Sequence, residues 1–214
     1  MQSTVHHRPA QPFWDKIAEK YARKPVADQS AYEAKLTRVR ALLRPTDRVL
    51  EIGCGTGSTA LRLAPDVAHY SATDGSIGMI DIANAKLGVD APNYVEFRHA
   101  DATDTIDGHP FDAVCAFSML HLVEDVPQVL AKIRQQLKPG GLFISKTECV
   151  KEAAWPIRAL VPLLTAAKVA PSITMMSRAD LVQHLQDAGF EIEQITYFGK
   201  KRLNPFIVAR RLPE

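Results

Sequence analysis

Apolar positions recur along the chain in two rhythms, and the change from one to the other divides it. From Pro12 to Ala22, Phe13, Ile17 and Tyr21 fall four residues apart with Asp15, Lys16, Glu19 and Lys20 on the other side, the pattern of an amphipathic helix. Pro25 breaks it, and Tyr32, Leu36, Val39 and Leu43 then repeat at helical spacing until Pro45. Beyond that the apolar runs become short. Val49-Leu50-Glu51-Ile52 ends at Gly53 with no room for another helical turn, which predicts a buried strand. Ser58 to Ala64 reads as a helix stopped at Pro65. Val67 to Thr73 predicts a second strand ending at Asp74, Ile77 to Leu87 a helix, and Tyr94 to Arg98 a third strand ending near Asp101. Phe111 to Phe117 is a fourth strand, Val126 to Leu137 a helix, Lys138 to Gly141 a turn, and Leu142 to Thr147 a fifth strand.

This alternation argues for a parallel sheet with helices on both faces, joined by right-handed crossovers. The two opening helices come too early to belong to it and are expected as a cap over the ligand end. The stretch Lys151 to Met176 breaks the rhythm: it is rich in apolar residues, Trp155, Met175 and Met176 among them, and is interrupted by Pro156, Pro162 and Pro171. Connections of this length are uncommon unless they serve function, so it is expected as a cover over the substrate. Ser177 to Asp180 has the form of a capping box and opens a helix closed by Gly189. Phe190 to Phe198 and Phe206 to Ala209 predict a terminal antiparallel hairpin.

Composition narrows the partners. A chain of 214 residues suits one domain, divided as a tail (1–11), a helical cap (12–44), a ligand-binding core (45–150), the insert (151–176), and a final helix and hairpin (177–214). A net charge of +2 offers no basic field for nucleic acid. No apolar run approaches the ~20 residues of a membrane span, and the first residues lack the apolar core of a signal peptide. Cys54, Cys115 and Cys149 lie far apart, as free thiols in a reducing compartment do. A soluble cytoplasmic protein with a small-molecule partner is expected. No metal site is expected; the pair His6-His7 reads as part of a disordered tail.

In an open parallel sheet, ligands sit outside the carboxyl ends of the strands where the winding reverses. Gly53, Gly55 and Gly57 follow the first strand, Asp74 the second, Asp101 the third, and Ser118 with His121 the fourth. An acid about twenty residues past the glycines accepts ribose hydroxyls, and would do so for a nicotinamide dinucleotide or for another nucleoside. Three features separate these ligands. The glycine spacing is GxGxG, Glu51 favours a neighbouring cation over a phosphate, and Asp101 supplies a second acid suited to an exocyclic amine. No basic residue stands close to receive a diphosphate.

The Glu51-Ile52-Gly53-Cys54-Gly55-Thr56-Gly57 motif, Asp74, Asp101-Ala102, Phe111-Asp112-Ala113-Val114 and Leu137-Lys138-Pro139-Gly140-Gly141 occur in the order found in class I S-adenosylmethionine-dependent methyltransferases, which the chain resembles from about Phe13 onward. The resemblance implies a Rossmann-like α/β fold: a seven-stranded, mostly parallel sheet with the last strand antiparallel and an N-terminal helical cap. It implies S-adenosylmethionine as cofactor and S-adenosylhomocysteine as product, the methionine end at Gly53 to Gly55, the ribose at Asp74, and adenine near Asp101, Ala102 and Met79. Tyr21, Glu51, Cys54, Gly57, Gly75, Phe117 and Ser118 complete the expected cofactor set. Gly75 departs from the bulky apolar residue the family often has after the ribose acid, so adenine packing must come from elsewhere.

Methyl transfer needs two reactants held in line and, for some acceptors, one proton removed. His121 is the expected base, its ordinary pKa of about 6.5 lying near the value such work wants. Tyr32, Lys146, Trp155 and Met175 are expected at the acceptor. The reading is methyl transfer to a small, partly apolar or aromatic metabolite at oxygen, nitrogen or carbon. The alternatives are a non-catalytic cofactor-binding or regulatory protein and a nicotinamide-dependent oxidoreductase.

Overall fold

The central strand β1 (Arg48–Ile52) is flanked in parallel by β2 (His69–Asp74) and β4 (Phe111–Phe117), with β3 (Val95–His99) beyond β2 and β5 (Leu137–Lys146) beyond β4. Strand β7 (Phe206–Arg211) runs antiparallel to β5, and β6 (Phe190–Thr196) pairs antiparallel with β7. The order is β3-β2-β1-β4-β5-β7-β6, so the winding reverses between β1 and β4, where a ligand crevice opens in such sheets. These features come from a computed structural model that describes residues 11–88, 92–199 and 202–213. The tail expected before residue 11, with His6 and His7, and part of the turn between β6 and β7 lie outside the described residues.

Successive strand residues point to opposite faces, and both faces are apolar. Leu50, Val114, Phe143 and Ile207 pack toward α5 (Val126–Gln136) and α7 (Arg178–Asp187). Their neighbours Val49, Cys115, Ile144 and Val208 pack in a second core with Ala60 and Leu63 of α3 (Ser58–Leu63) and Ile80 and Ala83 of α4 (Ile77–Leu87). Two helices precede the sheet, α1 (Gln11–Ala22) and α2 (Gln29–Arg40). Leu36 and Val39 of α2 join the second core, while α1 lies on α4.

Helix starts follow from local chemistry. Asp28 accepts from Ala31 N at 2.9 Å, Ser76 from Met79 N at 3.2 Å, and Asp125 from Gln128 N at 2.9 Å, each satisfying one orphan donor. The Ser177–Asp180 capping box is present, and Lys151 Nζ reaches Asp180 at 2.9 Å, which ties the start of the insert to α7.

Several boundaries differ from the sequence pattern. Helix α1 begins at Gln11. Strand β2 begins at His69, because the chain makes a single helical turn at Ala64–Asp66 around Pro65 before extending. Lys138 to Gly141, expected as a turn, belong to β5, which shifts register opposite Phe111 and Ala113. The insert carries α6 (Trp155–Ala166), none of whose residues is buried; Trp155 is 77% and Leu163 67% exposed. The insert is held by its ends instead, through Lys151 N to Met176 O at 3.1 Å and Thr174 N to His121 O at 2.8 Å.

Candidate functional site

Strand β1 ends in a loop whose three glycines all have positive φ, 72° at Gly53, 55° at Gly55 and 75° at Gly57. They serve different ends. A Cβ on Gly55 would meet only the Tyr21 ring, at 3.9 Å, so that face of the loop is open to a ligand. A Cβ on Gly57 would stand 2.6 Å from Phe97 Cζ and 2.9 Å from Ala83 Cβ; this glycine permits close packing and does not line the cavity. Gly53 N and Cys54 N both donate to Thr73 O, at 2.8 and 2.9 Å, and Gly57 N donates to Cys54 O at 3.1 Å. Asp74 accepts from Gly55 N at 2.8 Å and from Ser76 N at 2.9 Å, one with each carboxylate oxygen. On the outer side, Lys86 Nζ donates to Thr56 O at 2.6 Å and to Ser58 Oγ at 3.1 Å, fastening a helix start that has no side-chain cap.

A cavity of about 970 Å³ opens at the carboxyl ends of the strands, roofed by the first two helices. Glu51, Gly53, Cys54 and Gly55 line it from β1 and its loop, Asp74, Gly75 and Met79 from β2 and α4, and Asp101 and Ala102 from beyond β3. Phe117 and Ser118 line it at the end of β4, Lys146 at the end of β5, and Tyr21 and Tyr32 from the roof. Gly57, His121, Trp155 and Met175 do not line it. His121 is buried, its carbonyl holds Thr174, and its Nδ1 has no hydrogen-bond partner among the described residues; burial pushes its pKa down against the pull of Glu148. From the insert, Ser172 reaches the cavity.

Several lining residues were not expected. Trp14 lies about two turns before Tyr21 on α1 and meets its ring edge-on at 5.9 Å between centroids. Lys35 of α2 is 6% exposed, with Nζ 4.2 Å from the Phe117 ring centroid and 4.8 Å from that of Tyr32. Glu148 and Asn204 stand at the far end, joined at 3.1 Å. Asp15 accepts from Ser76 Oγ at 2.6 Å and Gly78 N at 3.1 Å, which pins α1 over the start of α4.

Of the cavity's acids Glu51 is buried, and Asp74 and Asp101 are partly so. Burial pushes the Glu51 carboxyl above its ordinary range, opposed by the Lys35 charge and by a 2.9 Å hydrogen bond from Tyr70 Oη. Burial likewise raises Asp74, opposed by its two backbone N–H donors. Asp101 Oδ1 accepts from Thr103 N at 3.0 Å and from its hydroxyl at 2.7 Å, which orients the carboxylate. Burial drives the Cys54 thiol well up, so it lines the wall as a neutral group.

A sequence-family model described as a methyltransferase domain matches residues 21–195. The chain belongs to the class I S-adenosylmethionine-dependent methyltransferases. A demethylmenaquinone methyltransferase of Clavibacter sepedonicus is 32% identical over 151 residues, 67% of this chain and 60% of that protein. The biotin biosynthesis bifunctional protein BioCD of Bordetella avium is 30% identical over 186 residues, 81% of this chain and 39% of that one. The matched stretch therefore spans 60% or less of these relatives. Among solved structures, magnesium protoporphyrin IX methyltransferase from Synechocystis PCC 6803, with bound S-adenosylhomocysteine, superposes with a TM-score of 0.72 at 19% identity, covering 94% of this chain and 97% of that one. The [4+2]-cyclase SpnF reaches 0.74 at 20% identity over 99% of each chain. At these identities the structures establish the shared fold.

The methyltransferase's site suits the family's cofactor on its own chemistry. The N–H groups of Gly53, Cys54, Gly55 and Gly57 are all taken up within the protein, so none of these four is left to cradle a pyrophosphate of the kind a dinucleotide needs. The open face of Gly55 and the buried acid Glu51 suit a phosphate-free ligand carrying positive charge, and Asp74 retains acceptor capacity beyond its two backbone donors. The tether from Lys86 keeps this loop in place. Lys86→Met should weaken S-adenosylhomocysteine binding by about three- to tenfold, the worth of one to two lost hydrogen bonds, and titration calorimetry checks it.

Proposed function

We propose that this protein transfers a methyl group from S-adenosylmethionine to a small, partly apolar or aromatic acceptor, at oxygen, nitrogen or carbon. The observation that carries the reading is the loop after β1, where the N–H groups of Gly53, Cys54, Gly55 and Gly57 are consumed internally while Glu51, buried, and Asp74, partly buried, face the cavity. The names of the Clavibacter and Synechocystis proteins support a small-molecule acceptor. The cyclase among the structural neighbours keeps in view a second reading, a cofactor-binding protein of this fold that transfers no methyl group.

In this reading Gly53 to Gly55 and Glu51 hold the methionine end, Asp74 the ribose hydroxyls, and Asp101, Ala102 and Met79 the adenine. The bound cofactor supplies an electrophilic methyl group on a sulfonium. The chain contributes position and exclusion of water: Trp14 and Tyr21 roof the cofactor end, Tyr32 and Phe117 wall the middle. Holding both reactants in line is worth roughly 7–11 kcal/mol in favourable cases. Proton removal, where an acceptor requires it, falls to a group that lines the cavity rather than to His121.

Calorimetric titration of the full chain with S-adenosylmethionine should show saturable binding that weakens as pH falls below neutrality. Burial raises both Glu51 and Asp74 above the ordinary carboxylate range, so each takes up its proton at a higher pH than a free acid, and the protonated forms lose their pull on the cation and on the hydroxyls. One such proton weakens binding by up to about tenfold per pH unit below the raised value. An absence of saturable binding would overturn the reading, and binding without turnover across an acceptor screen would favour the non-transferring one.

A further inference from the structure

The half of the cavity that lies over β4 and β5 carries charge which the cofactor's own residues do not account for. Lys146 ends β5 in register with Phe117 of β4, and the strand separation of about 4.8 Å puts it two strands, roughly 10 Å, from β1. Lys35 enters the same wall from α2 and lies against the faces of Phe117 and Tyr32. Burial pushes both ammonium groups below their usual pKa, and the Lys146 charge pushes Lys35 further down while Glu51 holds it up. Among the described residues neither Nζ has an ion pair within 4.0 Å or a hydrogen bond, whereas the acids nearby have partners of their own: Glu148 accepts from Asn204 Nδ2 at 3.1 Å, and Asp28 caps α2 through Ala31 N at 2.9 Å.

An ammonium nine-tenths buried without a hydrogen-bonded partner is costly. Lys35 is such a group, and Lys146, partly buried, lines the same cavity beside it; together they call for an anion that arrives with the ligand. We propose that Lys146, with Lys35 behind it, forms an anion-recognising subsite on the acceptor side, and that the acceptor is a small molecule bearing a carboxylate or an ionised enol or phenol oxygen. The inference rests on the proposed methyl transfer and names its substrate class. It also accounts for a site in which His121 does not line the cavity. An acceptor methylated at its own oxyanion gives up no proton: the new bond to the methyl carbon neutralises its charge, and the electrons of the broken carbon–sulfur bond stay on sulfur. A carboxylate remote from the methylated atom would use the same lysines for orientation alone.

The test is calorimetry and thermal shift on the full chain saturated with S-adenosylhomocysteine, at slightly alkaline pH. The probes are benzoate and phenylpropionate, each against its amide, and para-nitrophenolate against its methyl ether. At least one acid should bind about tenfold or more tighter than its neutral partner, the worth of one hydrogen bond to a charged group. A preference confined to the carboxylates assigns the subsite to a remote acid, and one confined to the phenolate assigns it to the reacting oxygen. Lys146→Gln should abolish the preference and Lys146→Arg should keep it, with S-adenosylhomocysteine affinity in both within about twofold of the parent; that binding also shows that each variant is folded. Equal binding of acids and neutral partners, or a preference that survives Lys146→Gln, overturns the proposal. So does a Lys146→Gln variant that stays folded by its thermal transition yet loses S-adenosylhomocysteine, since the lysine would then serve the methionine carboxylate. If the parent chain fails to bind S-adenosylhomocysteine, it is the proposed methyl transfer that falls.

Discussion

Asp74→Ala should reduce S-adenosylmethionine affinity by at least about a hundredfold, because one carboxylate both shapes the site and faces its ligand. Its two oxygens hold Gly55 N and Ser76 N, so its loss frees the glycine loop and loosens the approach to α4 at the same time. Hydrogen bonds to a charged group are worth about 1.5–3 kcal/mol each, and two go with the carboxylate before any contact with ribose is counted. Asp74→Asn separates these contributions. Its single carbonyl oxygen can serve one backbone donor well but not both, so its affinity should fall between the parent and the alanine variant. Calorimetry with S-adenosylmethionine decides, and an alanine variant within about threefold of the parent would place the ribose elsewhere.

The second large effect is on stability. Gly53→Ala puts a Cβ 2.6 Å from Met119 Cβ and 2.8 Å from its Cγ, atoms close to the backbone that cannot swing aside, at a φ of +72°. The left-handed backbone costs about 1–2 kcal/mol for a residue with a side chain, and overpacking a filled core about 1–3 kcal/mol more. A loss of roughly 3–5 kcal/mol, and a thermal midpoint lower by about 10 °C, follows for a chain of this size. Gly55→Ala is the informative partner. Its Cβ would meet only Tyr21, at 3.9 Å, so it should lose only the backbone share of that stability while filling the face offered to the cofactor. Thermal denaturation and calorimetry on the pair would show one variant failing in folding and the other in binding; a Gly53→Ala protein as stable as the parent would contradict the packing described here.

Much of this was legible before any coordinates, and what was missed has physical causes. Runs such as Phe111 to Phe117 announce buried strands because both faces of a parallel sheet are covered, and the observed β4 has those bounds. The glycine loop and the acids at strand ends could be placed because the crevice position follows from topology. Lys35 carried a signal that was passed over: with Tyr32, Leu36 and Val39 it completes one helical face, and a lysine inside an apolar stripe is an anomaly. Asp15 carried none, since its partner Ser76 lies 61 residues away and no local pattern couples them. His121 looked like a rim residue because position after a strand end is visible in sequence. What withdraws it from the cavity is not, for its carbonyl is engaged by Thr174 from the far end of the insert. The apolar residues of α6 suggested a pocket wall, yet periodicity alone cannot tell which way a helix turns when the segment is anchored only at its ends.

The junction of Asp15 with Ser76 and Gly78 bears on the order and speed of events. The Asp15 carboxylate fastens the roof helix to the residue that caps α4, two positions after Asp74. Those two hydrogen bonds are worth about 1–3 kcal/mol after exchange with water, and the packing of α1 on α4, where Ala18 is buried, adds to the hold. A parting of the two would fall in the microsecond-to-millisecond range of collective helix motions. On the proposed function, an exit for the spent nucleoside under α1 would follow.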